Sequence, residues 1–116
     1  PVIINIGIDF EVIIDLNKDT PSVLNACMIS AKQTLAKKLN IGEPLYLTDL
    51  YKVLNAVNGV IDTKNIRVFQ KFGEDYSTSQ LTINDHLSKD GRYLSAPENT
   101  ILEIRDFASD VTGMAI

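Results

Sequence analysis

Residues 4 to 16, INIGIDFEVIIDL, alternate apolar and polar side chains with a period of two. Successive side chains of an extended chain point to opposite faces, so Ile4, Ile6, Ile8, Phe10, Val12, Ile14 and Leu16 share one side of a strand. Asn5, Gly7, Asp9, Glu11 and Asp15 share the other. A strand buried on both faces reads as a continuous apolar run, so this pattern predicts an antiparallel or mixed sheet covered on a single side.

Two helices follow. In DTPSVLNACMISAKQTLAKKLN, Thr20 is placed to cap and Pro21 suits the first helical position. Val23, Cys27, Ala31, Leu35 and Leu39 recur every four residues with Leu24 and Met28 beside them, predicting an amphipathic helix over about residues 21 to 39. Cys27 lies on the apolar stripe, where a thiol is inert unless an electropositive, partly exposed setting activates it. In IGEPLYLTDLYKVLNAVNGV, Gly42 and Pro44 break the chain and Thr48 is placed to cap a second helix. Leu50, Val53, Leu54 and Val57 form its stripe, and Asn58 and Gly59 close it.

Residues 65 to 72, NIRVFQKF, predict a second strand with Ile66, Val68 and Phe72 inward and Arg67 and Lys71 outward. TILEIRDF predicts a third, with Leu102 and Ile104 inward. The expected class is α+β: a two-layer sandwich with two helices on one face of a small, mostly antiparallel sheet. Residues 73 to 100 form a long connection before the last strand, too long to be structureless inside a compact domain. Leu81, Ile83, Leu87, Tyr93 and Leu94 would pin it down, and Asp90 and Gly91 predict a tight turn at its tip.

Composition narrows the function. A chain of 116 residues is one domain long and buries roughly 65% of its unfolded surface. The expectation is a single domain over 1–116. A net charge of −4 argues against nucleic acid or an anionic membrane as the main partner. The basic cluster Lys32, Lys37 and Lys38 falls toward the end of the first helix, where cations offset the dipole. No apolar run is long enough to span a bilayer. One cysteine permits neither an internal disulfide nor a cysteine metal cluster.

The inventory of reactive groups is short. His86 is the only histidine, and no phosphate loop, dinucleotide fingerprint, nucleophile elbow or zinc motif is present. Asp85 and His86 resemble half of an acid/base pair without an adjacent nucleophile. Asp9, Glu11 and Asp15 share a strand face and read as solvated carboxylates or partners of Arg67 and Lys71 rather than as ligands of a hard cation. No catalytic residue, cofactor or metal site is expected.

Several segments in order resemble one family. They are Ile41-Gly42-Glu43-Pro44-Leu45, Thr48-Asp49-Leu50, Gly59-Val60, and Pro97 to Ile104 read as PENTILEI, together with DHLSKDGRYLSAPEN. This succession, from about Asp9 to Phe107, resembles the C-terminal domain of the baseplate wedge proteins of contractile-tailed phages, the baseplate J-like family, of the myovirus type. The resemblance implies a late, structural virion protein of the viral tail baseplate, made in the bacterial cytoplasm and active in virion assembly, not an enzyme. Its partners would be itself, as a homodimer, and other baseplate wedge proteins in the ring around the tail hub, with no small-molecule substrate. Members of the family are much longer, so the chain, which opens with Pro1, is expected to be a C-terminal piece.

Within that expectation, Tyr46, Tyr51, Tyr76 and Tyr93 are the candidate partner contacts, because aromatics are enriched in interface cores. The competing expectation is a ligand-sensing regulatory domain, since helices on a sheet also serve that role. It rests on fold analogy alone.

Overall fold

The structure is a computed structural model that describes residues 1–116. β1, Val2–Ile14, is the middle of the sheet. Ile4, Ile6, Ile8, Phe10, Val12 and Ile14 are all buried, as the alternation predicts. Each such side chain contributes about 1.5–3 kcal/mol, which offsets the roughly 1–2 kcal/mol lost in fixing each residue's backbone. Leu16 is the exception at 99% exposed, because the strand ends at Ile14 and the following turn carries it off the sheet.

α1, Thr20–Leu35, buries Val23, Cys27, Ala31 and Leu35. Its cap is Asp19 rather than Thr20: the Asp19 carboxylate accepts the N–H of Ser22. The helix stops four residues short of the expected end. The chain instead turns so that Leu39 packs on the core and Gly42 donates its N–H to the Thr100 carbonyl at 2.7 Å. A tertiary contact overrides the helical pattern there.

β2, Leu45–Tyr46, leads directly into α2, Leu47–Asn55, which buries Leu47, Leu50 and Leu54. Thr48 does not cap this helix. Tyr46 occupies the capping position without a side-chain bond, and the Arg92 carbonyl accepts the N–H groups of Leu47 and Thr48 at 2.8 and 3.3 Å. Gly59, at φ +100°, reverses the chain, and an added Cβ there would stand 2.8 Å from Val23 of α1.

β3, Val60–Gln70, starts five residues earlier than expected and runs antiparallel to β1, pairing Ile6 with Gln70 through Ile14 with Val60 across two irregularities. Phe72 lies beyond the strand's end and is 58% exposed, so the inward position expected for it is not realised. The long connection is ordered, with α3 at Ile83–His86 and β4 at Tyr93–Leu94 pairing antiparallel with β2. Its tip is the expected turn: Ser88 Oγ accepts the N–H groups of Arg92 and Tyr93, with Gly91 at φ +72°.

β5, Thr100–Glu103, runs parallel to the start of β1, α4 is Phe107–Asp110, and β6, Val111–Ala115, runs parallel to its later part. Lys71 bonds the Asn5 carbonyl on the β3 side, while Val2 bonds Asn99 and Ile116 bonds Val12. Odd residues of β1 therefore bond toward β3 and even residues toward the opposite edge, so β5 and β6 lie end to end along that edge with α4 between them. The class is α+β, as expected. The sheet is mixed: β1 has an antiparallel neighbour on one edge and parallel ones on the other. α1 lies over the β6 side and α2 over the β3 side, closing one core.

Candidate interaction surfaces

The face of the sheet turned away from the helices divides into two halves. Around Asn5 and Gly7 it is covered. Gly7 has no side chain, and the Phe69 ring from the facing position of β3 fills the space, leaving 2.6 Å to where a Cβ would stand. Arg67 and Lys71 flank that ring at 5.2 and 5.8 Å from its centroid, and Lys71 also lies 5.7 Å from the Tyr76 ring. Such cation–ring contacts gain strength as water is excluded.

Lys71 also faces Asp110, whose side chain is wholly buried, at 3.6 Å. Tyr76 Oη donates to Asp110 Oδ1 at 2.8 Å, Ser109 Oγ donates to the same oxygen, and the N–H of Asp106 donates to Oδ2. A buried carboxylate needs this many partners, because each missing one would leave its desolvation uncompensated. The bond to Asp110 is the main cause holding the Tyr76 phenol above its ordinary value, since losing the proton would forfeit it. Asn5 is 2% exposed, accepting the Ser77 N–H at 2.7 Å and donating to Glu103 Oε1 at 3.0 Å. These bonds tie residues 73 to 80 over this half.

From Asp9 onward the same face is bare. Partial burial pushes the Asp9 carboxyl upward, but hydrogen bonds from Thr112 and Arg67 and the charges of Arg67 and Lys71 outweigh it and hold the group below the usual carboxylate range. Beyond this cross-strand network come Glu11, facing Asn65 and Met114, and then Ile13. Met114 is 59% exposed, and Ile13 and Ile116 are exposed beside it. An apolar cluster thus stands at the open end of the sheet, next to its edge.

Two concavities flank the sheet. A groove of about 440 Å³ opens between the end of α1 and β5, with Leu35, Leu39, Leu102, Ile104 and Phe107 among its walls. A larger cleft of about 640 Å³ between α2, β3 and the turn at 88–92 is lined by Thr48, Tyr51, Asn65, Arg67, Lys89 and Arg92.

The four tyrosines fall into two kinds. Tyr46 and Tyr93 face each other across β2 and β4, both exposed, with ring centroids 6.1 Å apart. Tyr51 and Tyr76 are half-buried and engaged within the chain: the Ile66 N–H donates to Tyr51 Oη at 3.1 Å, and Tyr76 holds Asp110.

Asp85 and His86 sit on α3, and neither side chain hydrogen-bonds to a nucleophile. The His86 carbonyl instead anchors Ser95, accepting from its N–H and its hydroxyl at 2.9 Å. Asp9 joins Arg67 and Thr112, while Asp15 accepts the Asn17 N–H. No three His, Cys, Asp or Glu side chains gather at metal-binding spacing. Cys27 is buried and its thiol is pushed up by that burial. No helix is long and apolar enough to cross a membrane. Lys37, of the basic cluster, lies 3.5 Å from Glu43.

Asp110, the most interlocked polar group of the molecule, carries no sequence signal, since its partners come from four separate positions. β6 also escapes a reading by alternation: its inward residues are Val111, Gly113 and Ala115, two of them too small to register as apolar. Compared with known families and characterised proteins, the chain matches no family model and no curated protein.

Proposed function

We propose that this chain is a structural assembly domain of a phage tail baseplate wedge, which joins copies of itself and neighbouring wedge proteins around the tail hub and performs no chemistry. The observation that carries the reading is the half-covered sheet. One half of the outer face is sealed by the chain's own residues 73 to 80, while the other half exposes Ile13, Met114 and Ile116 beside an unpaired edge. Exposed apolar clusters and free strand edges both favour association. The motif succession that resembles the baseplate J-like family supplies the setting, a virion component.

Light scattering on the chain across a concentration range tests the self-association. The expected result is a mass that rises to at least a dimer, and that falls back to the monomer in Met114→Asp, whose charge would be desolvated in the contact. A monomer at every concentration would overturn it.

A second reading, a small-molecule-binding regulatory domain, is favoured by the cleft lined by Thr48, Tyr51, Asn65, Arg67, Lys89 and Arg92, which has the size of a ligand site. It requires saturable thermal stabilisation by a metabolite.

A further inference from the structure

Asn58 and Gly59 sit where α2 hands over to β3, in a turn closed by the Val60 N–H donating to the Val57 carbonyl at 3.1 Å. Their surroundings are tightly held. The Gly59 carbonyl accepts the Asp15 N–H at 2.8 Å, and a Cβ on Gly59 would meet Val23 and Lys18 at 2.8 and 3.3 Å. The peptide unit between the two residues is the exception: neither the Asn58 carbonyl nor the Gly59 N–H hydrogen-bonds to any group of the chain. The Asn58 carboxamide, on an exposed residue, has no partner either. Type I and type II turns differ chiefly in the direction of this central peptide, so it can turn over while the closing bond stays. Glycine in the third position, at φ +100° here, meets no Cβ penalty in either arrangement.

We propose that Asn58 is a site of spontaneous deamidation in the folded protein, with water as the only co-reactant. When the peptide turns over, the Gly59 nitrogen, unshielded by any side chain, bonds to Asn58 Cγ. The Cγ–Nδ2 bond breaks, and Nδ2 leaves as ammonia with the proton that the Gly59 nitrogen has lost. Water then opens the five-membered imide at either carbonyl. Opening at Cγ leaves an aspartate; opening at the former backbone carbonyl leaves an isoaspartate, whose main chain runs through Cβ and Cγ. Nothing is oxidised or reduced. Both products carry one more negative charge, and isoaspartate lengthens the chain by one carbon beside the residue that holds Asp15 and packs on Val23.

The chain holds a second turn of similar sequence, and the structure locks it. Asp90 precedes Gly91, and the same ring closure there needs a protonated carboxyl and a free glycine nitrogen. The Gly91 N–H donates to the Ser88 carbonyl at 3.0 Å. Ser88 Oγ donates to Asp90 Oδ1 at 2.8 Å, and Arg92 Nε lies 3.1 Å from Oδ2. The Ser88 bond first, and then Arg92, hold the Asp90 carboxyl below the usual carboxylate range, so it stays ionised. One glycine turn is therefore open to the reaction and the other is closed to it. The inference is independent of the assembly reading.

The test keeps the intact chain for days in mildly alkaline buffer, with a portion in urea where both turns are undone. Peptides spanning Asn58 and Asp90 are then separated and weighed by mass spectrometry. In the folded chain the Asn58 peptide should convert to two products, each heavier by the exchange of an amino group for a hydroxyl. Its rate should lie within about tenfold of the rate in urea. The Asp90 peptide should isomerise in urea and stay unchanged in the folded chain. Asn58→Gln keeps the amide on an exposed residue but would need a six-membered ring, so the conversion should disappear. An Asn58 that stays intact in the folded chain while it reacts in urea would overturn the inference. Equal conversion of Asn58 and Asp90 in the folded chain, or the same mass gain in Asn58→Gln, would do so as well.

Discussion

From Ile4 to Ile14 of β1 every second residue is buried, whereas between Lys71 and Asn99 only Leu94 is, yet both stretches hold a single course. β1 is held by backbone ladders on two edges and a continuous apolar face. The first part of the excursion, residues 76 to 81, is held by individual polar side chains reaching it from elsewhere: Asn5 takes Ser77, Gln70 brackets Ser79 and Leu81, and Asp110 takes Tyr76. The first kind of order is distributed, and one lost contact is one of many. The second is concentrated in a few bonds, so it should fail locally and one anchor at a time.

Phe10→Ala attacks the distributed kind. The ring is 2% exposed and covers Gly113, so its removal should cost about 3–5 kcal/mol, seen in urea unfolding as a loss shared by every part of the molecule. A loss confined to β6 would show that β1 is less cooperative than its ladders suggest.

Asn5→Ala attacks the concentrated kind from inside β1. It leaves the half-buried Ser77 N–H without its partner, at about 1 kcal/mol, and amide exchange should quicken over residues 73 to 80 well ahead of β3. Uniform acceleration would erase the distinction between the two regions.

Tyr76→Phe removes one hydrogen bond to Asp110 and sharpens the contrast through pH. Because the phenol is raised in the folded chain, its contribution is complete below the ordinary tyrosine value near 10 and is lost as pH climbs through the folded one. The variant should be flatter than the parent in thermal melts above pH 10. An unchanged alkaline profile would exclude this bond as a contributor.

The smallest effect belongs to Arg67→Ala on the bare half, an exposed pair worth at most about 1 kcal/mol. Asp9 is lowered in the folded chain, so its contribution is present above the ordinary carboxylate range and disappears as pH falls through the folded value. The variant should therefore lose stability at neutral pH and show a shallower decline in acid.

What could be read from the residues follows the same division. β1, the stripe of α1, the turn at Asp90 and Gly91 and the class of the fold were legible, because each depends on spacing within one segment. The cap of α2 was not, since it is the Arg92 carbonyl, brought by the excursion. The sealing of Gly7 by Phe69, the burial of Asp110 and the existence of β6 were also hidden, as each is a meeting of distant segments. Of the tyrosines, position along the chain could not separate the exposed pair Tyr46 and Tyr93 from the engaged Tyr51 and Tyr76.

The end-to-end arrangement of β5 and β6 along β1 also sets a timetable. β1, at residues 2 to 14, acquires its second neighbour only from residues 100 to 115, so about a hundred residues separate the central strand from the partners on its second edge. Pairings of such long sequence separation are slow to form. Until they do, half of β1 offers its backbone to whatever strand is nearby, and during synthesis the young domain is at its most adhesive just before its last two strands arrive.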